Sequence, residues 1–468
     1  MASLYDIAVV DGAADVSNTQ DKTGIWRVSH AARELQRYLQ QMGDAEIPVV
    51  ADPRDTDKPC LIVVGAGSHN ATTTWLVEDG HLILGLPEAG GDGYAMRYAC
   101  VDGRHYLVLA GETPVSTLWA VYHYLEEFGR CGFFMDGDFV PKLSFVPLER
   151  VNFESKPAFP LRDFLSTYCG GFGLRKFHYL FRRFEDWTAF IDWLCKRRFN
   201  LSGFMMGYMG REAFLNAFGL SDEPEGERYV DGFSDGWTYP HRFFKELTQQ
   251  VLQYGRDRGL KFYYFMGYGA VPESFKEAHP QYRYADHVYG SALFHPDEPA
   301  GRDYMKRYYE KVIETFGTDH MYFDTPYAED DVSDDYDEAV AFKLKALQSS
   351  IAVMREADPE AIPFISAWDF HFQRDRAFSP ERVKRYMDGL PDDALVMENN
   401  SVEWDRFYAR NGYYQGKRWA FGVLQGYQGD DHLHGDMEGA IRKTREALAD
   451  PMADKLVCFS HVPEYHGA

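Results

Sequence analysis

From Pro160 onward the chain alternates short apolar runs with longer stretches whose apolar residues recur three and four positions apart. The short runs are Leu161 to Leu165, Phe199 to Met206, Leu260 to Met266, His320 to Phe323, Pro363 to Trp368, Ala394 to Met397, Arg418 to Leu424 and Leu456 to Phe459. Between them, helical spacing predicts helices over Glu185 to Arg198, Pro240 to Asp257, Arg302 to Phe316, Asp334 to Glu356, Pro380 to Leu390 and Met437 to Leu448. In the first of these, Trp187, Phe190, Ile191 and Leu194 share one face. Eight buried strands alternating with helices predict a parallel (β/α)8 TIM-like barrel with right-handed crossovers. After the eighth strand only His461 to Ala468 remains, too short for the helix that should cover strands eight and one. An uncovered parallel strand would expose apolar surface. The expectation is therefore that a last helix comes from a second polypeptide, from a neighbouring subunit in a homo-oligomer, or from a continuation of the chain.

The first 150 residues follow a different pattern. Ile7 to Val10, Ile47 to Val50 and Leu61 to Val64 read as buried strands, and His30 to Met42 as a helix with Ala31, Leu35, Tyr38 and Leu39 on one side. Tyr94 to Cys100 and His105 to Ala110, joined by Asp102-Gly103, predict a hairpin. Thr113 to Phe128 predicts a helix striped by Leu118, Val121, Tyr122, Leu125 and Phe128 and stopped by Gly129. Gly65-Ala66-Gly67 has neither the third glycine nor a good helix directly after it, so it reads as a turn rather than a dinucleotide site. The predicted organisation is a small α+β domain over residues 1–150, a linker at Leu143 to Pro157, and a barrel over residues 151–468.

Composition narrows the function. Asp plus Glu number 72 against 49 Lys plus Arg, a formal net charge of −23, which argues against nucleic acid or an anionic membrane as partner. Aromatics make up 16% of the 468 residues, which suits sugar-ring contacts as well as core. The six cysteines, Cys60, Cys100, Cys131, Cys169, Cys195 and Cys458, show no zinc-ribbon or disulfide-ladder spacing. The N-terminus lacks a basic start followed by an apolar core segment, and no apolar stretch has spanning length, so a cytoplasmic location is expected.

The rim formed by the strand ends holds the candidate chemistry. Asp163 to Thr167, Tyr208 to Glu212, Tyr268, Asp324 to Glu329, Trp368-Asp369, Glu398 to Asn400, Gln425 to Asp430 and His461 to Glu464 all lie just beyond strands, where such barrels keep their active sites. This mixture of acids, amides and aromatics fits a carbohydrate substrate. No metal-ligand spacing, nucleophile elbow or phosphate loop is present, and no cofactor is expected; His432 and His434 read as loop residues. Hydrolysis by paired carboxylates remains. Glu329 and Glu464, across the barrel mouth from one another, are the leading pair, with Glu398, Asp324 and Asp369 as rivals. Glu329 has a second reading as part of an acidic helix start, because Asp330, Asp331, Asp334, Asp335 and Asp337 follow it.

Phe316-Gly-Thr-Asp-His-Met-Tyr-Phe-Asp-Thr-Pro-Tyr-Ala-Glu329 resembles a segment of the α-N-acetylglucosaminidase family, the lysosomal heparan-degrading enzyme and its bacterial relatives. Ile191-Asp-Trp-Leu, Phe199-Asn-Leu, Gly210-Arg-Glu-Ala213, Val271-Pro-Glu273, Ala367-Trp-Asp-Phe370 and Val462-Pro-Glu464 are similar to other segments of that family, in the same order, over residues 160–468. The resemblance implies a glycoside hydrolase in which Glu329 is the general acid/base and Glu464 the nucleophile. It also implies that Trp368 walls the sugar, with Glu212 and Asp163 as further contacts. Asp163 stands where the family has Asn, one residue is inserted before Glu329, and Gln425-Gly-Tyr-Gln-Gly-Asp430 replaces the family's His-Asn-Phe-Gly-Gly-Asn. The Asn-x-Cys-Thr run after the first strand and the all-helical domain that the family places after the barrel are also missing. These departures leave open an α-glucuronidase-like enzyme, with Arg211 or Arg162 as cationic clamp, or another α-glycosidase. A non-catalytic carbohydrate-binding protein is the reading from another class.

Overall fold

Alternation within three apolar strands generates both faces of the N-terminal sheet. Ile7 and Val9, Ile62 and Val64, and Leu107 and Leu109 share one buried cluster, while Ala8 and Val10, Leu61 and Val63, and Tyr106 and Val108 lie in another. A sheet apolar on both faces needs a cover on each. The first cluster takes in Ala31, Leu35, Tyr38 and Leu39 of the Lys22–Gly43 helix, and Leu118, Trp119, Tyr122 and Leu125 of the Pro114–Glu127 helix. The second takes in Leu76 of the Ala71–Glu78 helix. The sheet runs in the order Phe153–Ser155, Tyr94–Val101, Arg104–Gly111, Cys60–Val64, Ile7–Asp11, Val49–Val50. Its hairpin turns at Asp102 and Gly103, both at positive φ (50° and 79°).

The structure, a computed structural model, describes residues 1–12, 22–164, 183–203, 241–267, 269–271, 273–286, 292–323, 325–398, 406–425, 437–452 and 456–463. They divide into two compact units, one of Met1–Pro160 with Ala189–Phe199 and Tyr254–Leu260, the other of the rest of the chain. The segment read from sequence as a linker is woven into the first unit: Phe145–Val146 pairs with Ala2–Ser3, and Phe153–Ser155 with Tyr94–Met96. A helix does follow Gly65-Ala66-Gly67, at Ala71–Glu78. Its Thr72, Thr73 and Thr74 hide it from a propensity reading. Asn70 caps it, with Oδ1 accepting the Thr72 N–H (3.0 Å) while Nδ2 donates to the Val10 and Val64 carbonyls (3.2 and 2.9 Å).

The second unit is the barrel. Leu161–Phe164, Leu201–Ser202, Lys261–Phe265, Met321–Phe323, Ile362–Ser366, Leu395–Glu398, Arg418–Gln425 and Leu456–Pro463 pair in parallel in that order, and the last closes onto the first. Leu201, Tyr263, Met321, Phe323, Phe364, Leu395, Met397 and Ala420 fill its interior. The Tyr263, Phe323 and Phe364 rings touch one another edge to face, with centroids 5.3 to 5.6 Å apart. The intervening helices follow the sequence reading. Pro299–Phe316 starts on a Glu298 cap and ends at Gly317 (φ 72°), burying Tyr304, Tyr308, Tyr309, Val312 and Phe316. Between the third strand and that helix, a three-stranded antiparallel sheet of Ala270–Val271, Ala292–Phe294 and Tyr284–Asp286 is an addition that the apolar pattern did not reveal. Among the described residues no helix is long and apolar enough to cross a membrane.

The aromatic trio makes a direct test of the barrel core. Phe364→Ala is expected to cost about 3–5 kcal/mol, while Leu448→Ala, at an exposed helix position, should change stability by less than about 0.5 kcal/mol. Urea titrations of the two variants beside the parent measure both.

Candidate active site

The acidic run after the fourth strand divides into two parts. Asp335 is the N-cap of the Tyr336–Ala357 helix, its carboxylate accepting the Asp337 and Glu338 N–H groups (2.8 and 3.2 Å). Glu329 stands apart from that helix start, in a turn that follows the strand. The turn bends through two non-glycine residues in the left-handed region, Tyr327 (φ 59°) and Glu329 (φ 68°). Each such residue costs about 1–2 kcal/mol, so each needs a restraint.

The restraints are visible. The buried Tyr327 hydroxyl donates to the Phe294 carbonyl (3.0 Å). The Glu329 backbone N–H donates to Asp369 Oδ1 (3.0 Å), and Lys343 Nζ donates to Asp369 Oδ2 (2.6 Å). Lys343 and Asp369 side chains are 0% and 1% exposed, so this ion pair is out of reach of water. A hydrogen bond to a charged partner contributes about 1.5–3 kcal/mol, enough to outweigh the strain at Glu329. Burial pushes the Asp369 carboxyl above its ordinary range, while the Lys343 ammonium and the Glu329 N–H pull it back.

Trp368 opens a short helix, Trp368–Phe372, just beyond the fifth strand, and its indole N–H donates to Glu329 Oε1. Two further contacts join the ends of the fourth and fifth strands, and a third braces the fifth strand's own end. Thr325 Oγ1 donates to the Ser366 carbonyl (3.2 Å), the Trp368 N–H to Ser366 Oγ (3.2 Å), and Gln373 Nε2 to the Asp330 carbonyl (3.0 Å). Thus Glu329, Trp368 and Asp369, chosen from sequence as separate strand-end residues, form one cluster. Lys343 was missed, although its signal was present. It occupies the buried stripe Ala339, Val340, Lys343, Ala346, Leu347 of its helix, and a cation there requires a buried anion.

The other candidates are spread more widely. Asp163 on the first strand is fully buried and accepts a hydrogen bond from the Tyr263 hydroxyl (3.1 Å), inside the barrel. Arg162, the next residue on that strand, takes the opposite face. Glu398 follows the interior residue Met397 on the sixth strand, so it too points to the outer side, where it accepts from the Tyr414 hydroxyl (2.7 Å). Gln425 ends the seventh strand. Glu212, Tyr268, Asp324, Arg211, His432, His434 and Glu464 lie outside the described residues.

Comparison with known proteins places these features in context. Residues 174–467 match the family described as Alpha-N-acetylglucosaminidase (NAGLU) tim-barrel domain, and residues 13–124 match the Glycosyl hydrolase family 67 N-terminus. The chain is 23% identical to human (Homo sapiens) Alpha-N-acetylglucosaminidase over 358 residues, which cover 70% of this chain and 46% of that protein. A family 89 glycoside hydrolase from Clostridium perfringens in complex with PUGNAc superposes with a TM-score of 0.67 at 17% identity, over 97% of this chain and 49% of that one. A form of such an enzyme from the same organism carries two Glu-to-Gln substitutions and is in complex with its substrate GlcNAc-α-1,4-galactose. It superposes with a TM-score of 0.66 at 16% identity, over 100% of this chain and 50% of that one. The chain therefore spans about half the length of these relatives.

One residue of the Trp368 helix yields a pH prediction. His371 is buried, its ring stacked on Phe407 at 3.6 Å, and burial pushes its imidazole down to about 3. The unfolded chain, titrating near about 6.5, takes up the proton first, so stability is full above that pH and declines below it, by up to about 1.4 kcal/mol per pH unit. His371→Gln should abolish this component. The stability difference between parent and variant is expected to be constant above pH 7 and to change by about 1 kcal/mol between pH 6 and pH 5, measured by urea titration. An unchanged difference would mean that His371 titrates alike in both states.

Proposed function

Because the chain belongs to the α-N-acetylglucosaminidase family, whose barrel domain matches residues 174–467, we propose that it is a retaining, exo-acting α-glycoside hydrolase of α-N-acetylglucosaminides, with its catalytic barrel in residues 151–468. Glu329 is the general acid/base and Glu464 the nucleophile. Trp368 borders the sugar, and Asp163, Glu212, Tyr268 and Gln425 are contacts from other strand ends. The observation that carries this reading is the placement of Glu329. It is a carboxylate beyond the fourth barrel strand, held on the indole of a tryptophan beyond the fifth.

The chemistry follows from the substrate. In an α-linked N-acetylglucosaminide the leaving oxygen and the 2-acetamido group lie on the same ring face, so the acetamido group cannot displace the leaving group from behind. A carboxylate must do so. Glu464 attacks the anomeric carbon while Glu329 protonates the departing oxygen, and a covalent glycosyl-enzyme forms. Glu329 then takes a proton from water, which displaces Glu464. Both fixed points of Glu329 serve this exchange, because a proton donor must be held within hydrogen-bond reach of the atom it serves. The relative bound to GlcNAc-α-1,4-galactose through two Glu-to-Gln substitutions supports the two-glutamate scheme. An acidic sugar is disfavoured on the side of Arg162, which faces out of the barrel.

A panel of 4-nitrophenyl α- and β-glycosides tests the proposal. Release from the α-N-acetylglucosaminide is expected and is lost in Glu464→Gln; for an alkyl α-N-acetylglucosaminide run beside the panel, whose poor leaving group needs the proton, Glu329→Gln should lower kcat/KM about 10²–10⁴-fold. Full turnover in Glu464→Gln would refute the assignment of the nucleophile. Release from a different α-glycoside alone would move the substrate and keep the mechanism. A folded protein that binds sugar and turns over none of the panel would be the binding protein of the alternative reading.

A further inference from the structure

Asp369 is a carboxylate in the midst of the proposed site that touches no solvent. It is 1% exposed, with one oxygen on the Glu329 N–H and the other on Lys343 Nζ. It therefore cannot act as the acid, base or nucleophile that its place beyond the fifth strand suggested. Its neighbour Trp368 binds the Glu329 carboxylate. Two consecutive residues thus grip Glu329 at two points, one at the backbone and one at the side chain. The backbone grip falls on the residue whose φ of 68° is costly for an L-amino acid. Lys343 projects from the buried stripe of the Tyr336–Ala357 helix and supplies the partner that lets a carboxylate acceptor stand there out of water.

We propose that Asp369, with Lys343 as its counter-charge, is a positioning residue for Glu329: it locks the Glu329 backbone in the left-handed conformation that lays the carboxylate against the Trp368 indole. This rests on the acid/base reading of Glu329. With the lock removed, the turn relaxes to negative φ and the carboxylate moves off the leaving oxygen. A misplacement of about 1 Å is enough to cost on the order of 10²-fold in rate.

The test separates aiming from folding by leaving group. A 2,4-dinitrophenyl α-N-acetylglucosaminide departs without needing a proton, whereas an alkyl α-N-acetylglucosaminide requires one. kcat/KM on each reports the glycosylation step alone. In Asp369→Ala, kcat/KM for the alkyl substrate is expected to fall on the order of 10²-fold, with the dinitrophenyl substrate falling less than about 5-fold. The double variant Lys343→Met, Asp369→Asn keeps a carbonyl for the Glu329 N–H and buries no lone charge. It should hold the ratio of the two substrates within about threefold of the parent, and it supplies a folded sample if Asp369→Ala does not fold. Equal losses on both substrates in Asp369→Ala, or a collapsed ratio in the folded double variant, would overturn the positioning role. Glu329→Gln is the reference. If it collapses the ratio while Asp369→Ala does not, the inference fails and the acid/base reading stands. If Glu329→Gln leaves the ratio intact, the acid/base reading itself falls.

Discussion

The hydrogen bonding of the Leu161–Phe164 strand to the Leu456–Pro463 strand closes the barrel, and everything functional depends on that closure. Side chains alternate strictly along each strand, so a closed ring of eight leaves no freedom over which residues face inward. Asp163, Tyr263, Phe323, Phe364 and Met397 go to the interior. Arg162 and Glu398, each one position away, go to the outside. A register different by one residue would exchange these sets, bringing an arginine and a glutamate inward and expelling the aromatic core.

Closure places the strand ends on a rim, but it does not hold the turns beyond them. Between the fourth and fifth strands that work is done by side chains. Thr325, Ser366 and Gln373 tie the two loops together, and the Lys343–Asp369 pair fixes the bend at Glu329. A buried ion pair contributes little net stability against an apolar replacement, although losing one member is costly. Its value here is geometric. The helix supplying Lys343 belongs to the outer layer, so the aim of a residue at the mouth is referred back to the body of the barrel.

Much of this was legible in the amino-acid order. Strands four and five are dense apolar runs with clear stops, Gly317 ends the helix before one of them, and Pro380 opens the helix after the other. Periods of two and of three to four survive wherever an element is long enough to repeat them. They fail where it is not. Strands of two or three residues, such as Ala270–Val271 and Tyr284–Asp286, show no period. The Ala71–Glu78 helix carries three threonines and forms because Asn70 caps it. At the site, sequence could mark Glu329, Trp368 and Asp369 as strand-end residues but could not give their roles. Those depend on φ at Glu329 and on which carboxylate Lys343 reaches across 26 positions of chain. Glu398 looked like its strand-end peers, and only the inward position of Met397 turns it away from the mouth.

The Tyr263, Phe323 and Phe364 rings have one further consequence. They help fill the barrel, so its centre is packed core and not a pore. The strands that carry them are thereby braced from within as well as by their hydrogen bonds, and a ring lost from the trio would leave a void that neighbouring strands share.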